Sequence, residues 1–215
     1  APHPVRVDDS DTTNIPEAGS RTAPDTERGD TMEPLTVHST ETAPEAAKGM
    51  LDKVNNLYGF VPNLMGVLAE APQVLAAYLT LSNLFESSTL TPTERHVVLL
   101  AVSHTNGCDY CMAAHSALAA MQEVPEEVIS ALRDGNPVGD PRLEALRTFT
   151  AELTRHRADP SRIDAEAFLA AGFTRGQLLE VILGVTQKTL SNYVNHLAGT
   201  PLDGAFEARR WSGRG

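Results

Sequence analysis

From Ala43 to Gly199, apolar residues recur at helical spacing in segments cut by proline and glycine, and nowhere do they alternate as in a strand. Ala47, Met50, Leu51, Val54 and Leu57 share one face of a first predicted helix. A short helix, "PNLMGVLAEAP", closes at Pro72, and others are predicted over about Pro72–Glu86, Pro92–His104 and Cys108–Met121. "VPEEVISALRDG" is short, with Pro125 early in its first turn and Gly135 beyond its end. Leu143, Leu146, Phe149, Thr150 and Leu153 mark the next helix, and "DAEAFLAAG" a further short one. The longest runs over about Thr174–Ala198. This pattern predicts an all-α, single-domain protein with short loops. Aromatic residues are 5% of the chain, so the core must rest on Leu, Val and Ala.

Residues 1–40 are rich in Pro, Asp, Thr and Gly with no apolar period, and read as a disordered extension. The helical domain is expected over 41–206, followed by a tail over 207–215. The break in composition suggests Met32 as a natural start, leaving 1–31 upstream of it. A net charge of -11 without any basic run argues against nucleic acid. The longest apolar run, Val97 to Val102, falls far short of the about 20 residues of a membrane span. No signal peptide is visible, and two cysteines are too few for a secreted disulfide scaffold. The expected location is cytoplasmic.

Both cysteines lie in "NGCDYCMAAH", at Cys108 and Cys111, with His115 four residues further on. Three chemistries compete. A structural disulfide closing so short a loop adds roughly 2 kcal/mol at best, against about 3 for a 15-residue loop. Zinc needs four ligands, or three plus water, and no second close Cys or His pair exists beyond this cluster. No metal or other cofactor is therefore expected. A redox pair fits the spacing best. Cys108 falls at the start of a helix, where orphan N–H groups and the dipole favour a thiolate. The dipole supplies roughly 0.3–1 kcal/mol, less than one pKa unit at about 1.36 kcal/mol each, so a second group must help. Cys111 and His115 stack on one face, and in a helix the two cysteine Cα atoms lie about 5 Å apart, within reach of a disulfide. A helix-packing role for His115 stands beside the catalytic one.

Upstream, Glu94 and His96 are two residues apart, about 200° around a helix, so they cannot both face the cysteines. "TPTE" reads as a capping box, with Thr91 as N-cap, Pro92 at N1 and Glu94 at N3, which offers Glu94 a structural duty. His96 shares a stripe with Leu99, Leu100 and Ser103 that points it inward, and a partly exposed position is its alternative. His104 reads as a loop residue. Tyr110, between the cysteines, either shields the pair or packs. Asn192, Tyr193, Asn195 and His196 on the last helix either line the pocket or serve as cap and interface residues, and the structural reading is preferred.

"ERHVVLLAVSHTNGCDYCMAAH" resembles the motif of the carboxymuconolactone decarboxylase-like, alkylhydroperoxidase D-like family, and "LLEVILGVTQKTLSNYVNHLAGTPLD" is similar to the last helix of its peroxidase-related members. The similarity runs from about Leu35 to Phe206. It implies an all-helical fold assembling into trimers or hexamers, and reduction of a hydroperoxide. Cys111 would form the sulfenic acid, Cys108 would donate a proton and resolve it to a disulfide, and His115 would join the proton relay. A dithiol such as a lipoylated protein would reduce the pair. The family pattern has a glutamate twelve residues before the first cysteine, where this chain has His96. A histidine near pKa 6.5 is a competent base at neutral pH, although it cannot hold an imidazolium as a carboxylate does. The decarboxylase branch lacks the cysteine pair. Decarboxylation on the same fold, and an oligomeric sensor that oxidises once, remain the alternatives to a peroxidase.

Overall fold

The computed structural model describes residues 35–213; the expected disordered extension lies, over 1–34, outside the described residues. Within them the chain forms α1 (Glu45–Tyr58), α2 (Asn63–Leu68), α3 (Pro72–Glu86), α4 (Pro92–Thr105), α5 (Asp109–Met121), α6 (Glu126–Asp134), α7 (Pro141–His156), α8 (Ala165–Ala170) and α9 (Arg175–Ala198). Short 3₁₀ helices follow at Pro160–Arg162 and Gly204–Arg209, and the described residues contain no strand. None of these helices is long and apolar enough to cross a membrane.

Helix α4 is central because every residue from Val97 to Ser103 is buried. A helix apolar all round must be enclosed, and α5, α6, α7 and α9 surround it. Its start is the expected capping box: Glu94 N donates to Thr91 Oγ1 at 3.2 Å and Thr91 N donates to the Glu94 carboxylate at 2.8 Å. At its end, Gly107 takes φ +63°, a left-handed conformation that glycine adopts without penalty. Cys108 N then donates back to Ser103 O at 2.9 Å, and α5 begins one residue later.

Two apolar clusters flank this axis. One joins α4 to α6, α7, α8 and α9, and includes the stacked rings of Phe149, Phe168 and Phe173, with centroids 4.3 and 4.5 Å apart. The other joins α1, α2, α3 and α5, and contains both cysteines. Helix α9 approaches α3 and α4 so closely at Gly184 that a Cβ there would stand 2.7 Å from the Phe85 ring and 2.8 Å from Val98 Cγ1. The C-terminal stretch docks on α5 and α6: Arg133 donates to Ser116 Oγ and to the carbonyls of Arg209 and Arg210, and Trp211 Nε1 donates to Arg133 O.

Two expectations change. Leu57 is 74% exposed, not part of the buried face of α1, because α1 ends at Gly59 with its last turn over the rim of a cavity. His104 is not in a loop; it completes the last turn of α4 and packs against Trp211 at 5.7 Å between centroids.

Candidate active site

Cys108 is the N-cap of α5 and Cys111 lies in its first turn. Both are free thiols, each 1% exposed. A cavity of about 330 Å³ opens beside them, walled by α1, α2, α3, α4, α5 and α9. Cys111 lines it, together with His96, His115, Gln122, Gln187 and Lys188; Cys108 sits behind, away from it. Most of the remaining wall is apolar, including Val54, Leu64, Leu99 and Phe206.

Helix α9 supplies polar groups that meet the sulfurs. Asn195 Nδ2 donates to Cys111 Sγ at 3.2 Å and lies 3.8 Å from Cys108 Sγ. Ser191 Oγ is 3.8 Å from Cys111 Sγ. Lys188 is fully buried, and its Nζ has no hydrogen-bond partner of ordinary geometry. An unpaired buried ammonium is costly, so this cation requires an anion at Cys111.

The two thiols are made unlike. Burial works against a Cys111 thiolate, but the hydrogen bond from Cys108, the Lys188 charge and the Ser191 hydroxyl outweigh it, holding Cys111 well below its ordinary value. Cys108 moves the other way, raised by its hydrogen bond to Cys111 and by burial, so it keeps its proton. Lys188 stays charged despite burial because Cys111 faces it, with Tyr78 and Cys108 adding to the effect.

His96 is 3% exposed, and its ring lies 6.4 Å from that of His115 between centroids. Burial lowers His96, partly offset by a hydrogen bond to Gln122 and by Glu86. His115 is lowered further, by burial first and then by Lys188 and His96. Both are neutral imidazoles near pH 7, and each has an unpartnered Nδ1.

The structure therefore gathers Cys108, Cys111, His115 and His96 at one place. Glu94 is elsewhere: beyond the capping box, it accepts from Arg142 Nε at 2.9 Å. Tyr110 lines the cavity, but its hydroxyl donates to Asp203 at 2.5 Å and accepts from Leu64 N at 3.3 Å, tying α5 to α2 and the C-terminal segment. Asn195 touches the sulfurs, Asn192 accepts from Asn106 at 2.9 Å, and Tyr193 and His196 face outward. The sequence reading missed Lys188 and Ser191. Their signal was a polar stripe, Lys188, Ser191, Asn192 and Asn195, at spacings of three and four along α9. Among the described residues, no three His, Cys, Asp or Glu side chains converge as a metal site.

Residues 72–152 match the model of the carboxymuconolactone decarboxylase family. The fold is similar to that of an alkylhydroperoxidase AhpD core, an uncharacterized peroxidase-related protein from Ralstonia eutropha JMP134, with a TM-score of 0.70, 22% identity, and coverage of 86% of this chain and 99% of that one. An uncharacterized peroxidase-related protein from Silicibacter sp. TM1040 gives 0.67 and 19% identity, over 81% of this chain and 93% of its own. A cysteine-to-alanine form of the debrominase Bmp8 in complex with 2,3,4-tribromopyrrole gives 0.68 and 18% identity, over 84% and 97%. No curated protein matches the chain.

Proposed function

Because the chain is carboxymuconolactone decarboxylase-like with an alkylhydroperoxidase D-like fold, we propose that it is a thiol-dependent peroxidase in which Cys111 attacks and Cys108 resolves. The observation that carries this reading is the asymmetry of the pair. The thiol that lines the cavity is the one held as a thiolate, and the thiol behind it keeps a proton.

The Cys111 thiolate attacks the terminal oxygen of a hydroperoxide. The O–O bond breaks, Cys111 becomes a sulfenic acid, and an alkoxide leaves beside the Lys188 ammonium, which stabilises its charge until it takes up a proton. Cys108 then loses its proton to neutral His115 and attacks the Cys111 sulfur, forming the disulfide and expelling water once the hydroxide is protonated. An external dithiol returns the pair to one thiol and one thiolate, becoming a disulfide itself. His96 stands where the family pattern has a carboxylate. A neutral imidazole accepts a proton there without placing a second anion beside the Cys111 thiolate.

The test is peroxide consumption with a dithiol reductant. Cys111→Ser is expected to abolish turnover, and Cys108→Ser to stop after one equivalent with a trappable sulfenic acid at Cys111. Undiminished turnover by Cys111→Ser removes the reading. Dehalogenation of a small halogenated ring is a second reading. The apolar wall around Cys111 suits such a ring, and halide release without peroxide consumption would favour it.

A further inference from the structure

Lys188 needs an anion in every state of the site, and the cysteine pair supplies one only while it is reduced. The Lys188 side chain is buried at 0% exposure, lines the cavity, and has no hydrogen-bond partner of ordinary geometry at Nζ. Cys111, Tyr78 and Cys108 act on its charge, and it acts in turn on His115. Among these groups Cys111 supplies the negative charge. Cys108 keeps its proton, His115 is a neutral imidazole, and Tyr78 offers a buried phenol hydroxyl. The carboxylate of the cavity wall is Glu86, which is exposed and paired with Arg95 at 3.3 Å.

Oxidation removes the thiolate. The Cys111 thiolate and the Cys108 thiol give up two electrons to a hydroperoxide and join as a disulfide. The O–O bond breaks, and the oxidant leaves as an alcohol and a hydroxide, which carries the negative charge out of the site. The ammonium then stands buried without a counter-ion, a costly arrangement. We infer that the disulfide form has an anion-binding site on Lys188, whose ligand carries a single negative charge at the end of an apolar stem. The inference rests on the reading of the cysteines as a pair that forms a disulfide. The cavity selects both halves of the ligand. One buried ammonium balances one charge, and Lys53, the other cation of the wall, is exposed, so a carboxylate or thiolate fits better than a phosphate dianion. Val54, Leu64, Met65, Leu99 and Phe206 offer the stem an apolar wall, in a volume of about 330 Å³ that suits a small molecule. This chemistry has two sources, a monocarboxylate and the thiolate of the dithiol that reduces the pair. In the second case Lys188 draws the reductant in when the disulfide needs it, and releases it once Cys111 is a thiolate again.

Octanoate is the probe, with octanol as its uncharged counterpart. Binding to the full chain is measured by calorimetry, with the pair either reduced or oxidised by diamide and the free thiols counted in each. Octanoate is expected to bind the disulfide form roughly ten-fold or more tightly than the reduced form, where the Cys111 thiolate repels it. Octanol is expected to bind both forms alike. Cys111→Ser removes the thiolate without oxidation and is expected to bind octanoate as the disulfide form does. Lys188→Met is expected to lose the difference between the redox states. Octanoate is then set against dithiothreitol. Slowed reduction of the disulfide supports the site with the reductant's thiolate as its ligand, and unchanged reduction supports it with a carboxylate. Equal octanoate affinity in both redox states, the same preference shown by octanol, or a preference that survives in Lys188→Met overturns the proposal. Two free thiols that persist after diamide remove the reading of the pair and this proposal with it. A disulfide that forms without gaining octanoate removes this proposal alone.

Discussion

Lys188 does at this site what the helix dipole alone cannot. The dipole falls short of one pKa unit, whereas a buried ammonium with no other partner makes the Cys111 thiolate its counter-ion. Lys188→Met is expected to raise the Cys111 pKa and, as the thiolate fraction falls, to slow peroxide reduction most on the acid side of the profile. Lys188→Arg is expected to retain most of the rate. The rate of thiol alkylation against pH reads the shift directly, and an unmoved profile in the methionine variant would show that Lys188 is not the counter-ion. Glu94 makes the contrasting case. Its carboxylate is divided between the α4 cap and Arg142, so Glu94→Ala is expected to lose about 1–3 kcal/mol of stability while leaving the alkylation profile where it was. A shifted profile would place Glu94 in the site after all. The cap was legible because a capping box is local, with Thr91 and Glu94 three residues apart. Lys188 was not, because it lies 77 residues from Cys111 in sequence and a lysine is normally a solvent residue.

At the scale of elements, α1, α4, α6 and α9 end at the glycines the sequence offered, since glycine acts through its own backbone and needs no tertiary partner, whereas α3, α5 and α7 end at Ser87, Gln122 and Arg157. The 3.6-residue period was equally legible, but period gives a face and not its direction. In α9 a polar stripe of Lys188, Ser191, Asn192 and Asn195 is buried while Leu179, Tyr193 and Leu197 are exposed, because the sulfur site needs donors on its inner side. Leu57 departs for a related reason: the face of α1 continues in sequence past the point where the neighbouring helices stop covering it. Gly184 is the element-scale constraint that no period reveals. Gly184→Ala would gain about 1 kcal/mol of helix propensity. The new Cβ, however, would press on Phe85 and Val98 within 2.8 Å, and overpacking costs about 1–3 kcal/mol. The expected net is a loss of up to about 2 kcal/mol, read as a lower urea midpoint at unchanged m-value. A stabilised variant would mean that α9 can shift outward without penalty.

For the whole molecule, the neutral histidines make stability depend on pH in a definite direction. His96 and His115 both have folded values below the ordinary 6.5, chiefly through burial. Between those folded values and 6.5 the unfolded chain binds more protons than the folded one, so stability rises with pH. Their contribution is complete above about 6.5 and is lost as pH falls below it, at about 1.4 kcal/mol per unit for each histidine until the folded value is reached. His104, lowered by burial and by Arg147 and Arg155, acts in the same direction, and so does the depressed Cys111 thiol. Glu126 and Glu144 are lowered from 4.5, so their contribution is lost only in more acidic solution. Across the interval from pH 6.5 to about 5 the histidines and the Cys111 thiol therefore act together, ahead of these carboxylates. Acidification from pH 7 to 5.5 is expected to lower stability, and the domain has only about 5–15 kcal/mol to lose. Urea unfolding at each pH, at one fixed protein concentration, measures it. His96→Gln is expected to reduce the slope, because a glutamine in that position has no proton to gain. A stability curve flat from pH 7 to 5.5 would mean that the imidazoles are hydrated or paired in the folded chain, and that neither is the neutral base the site requires.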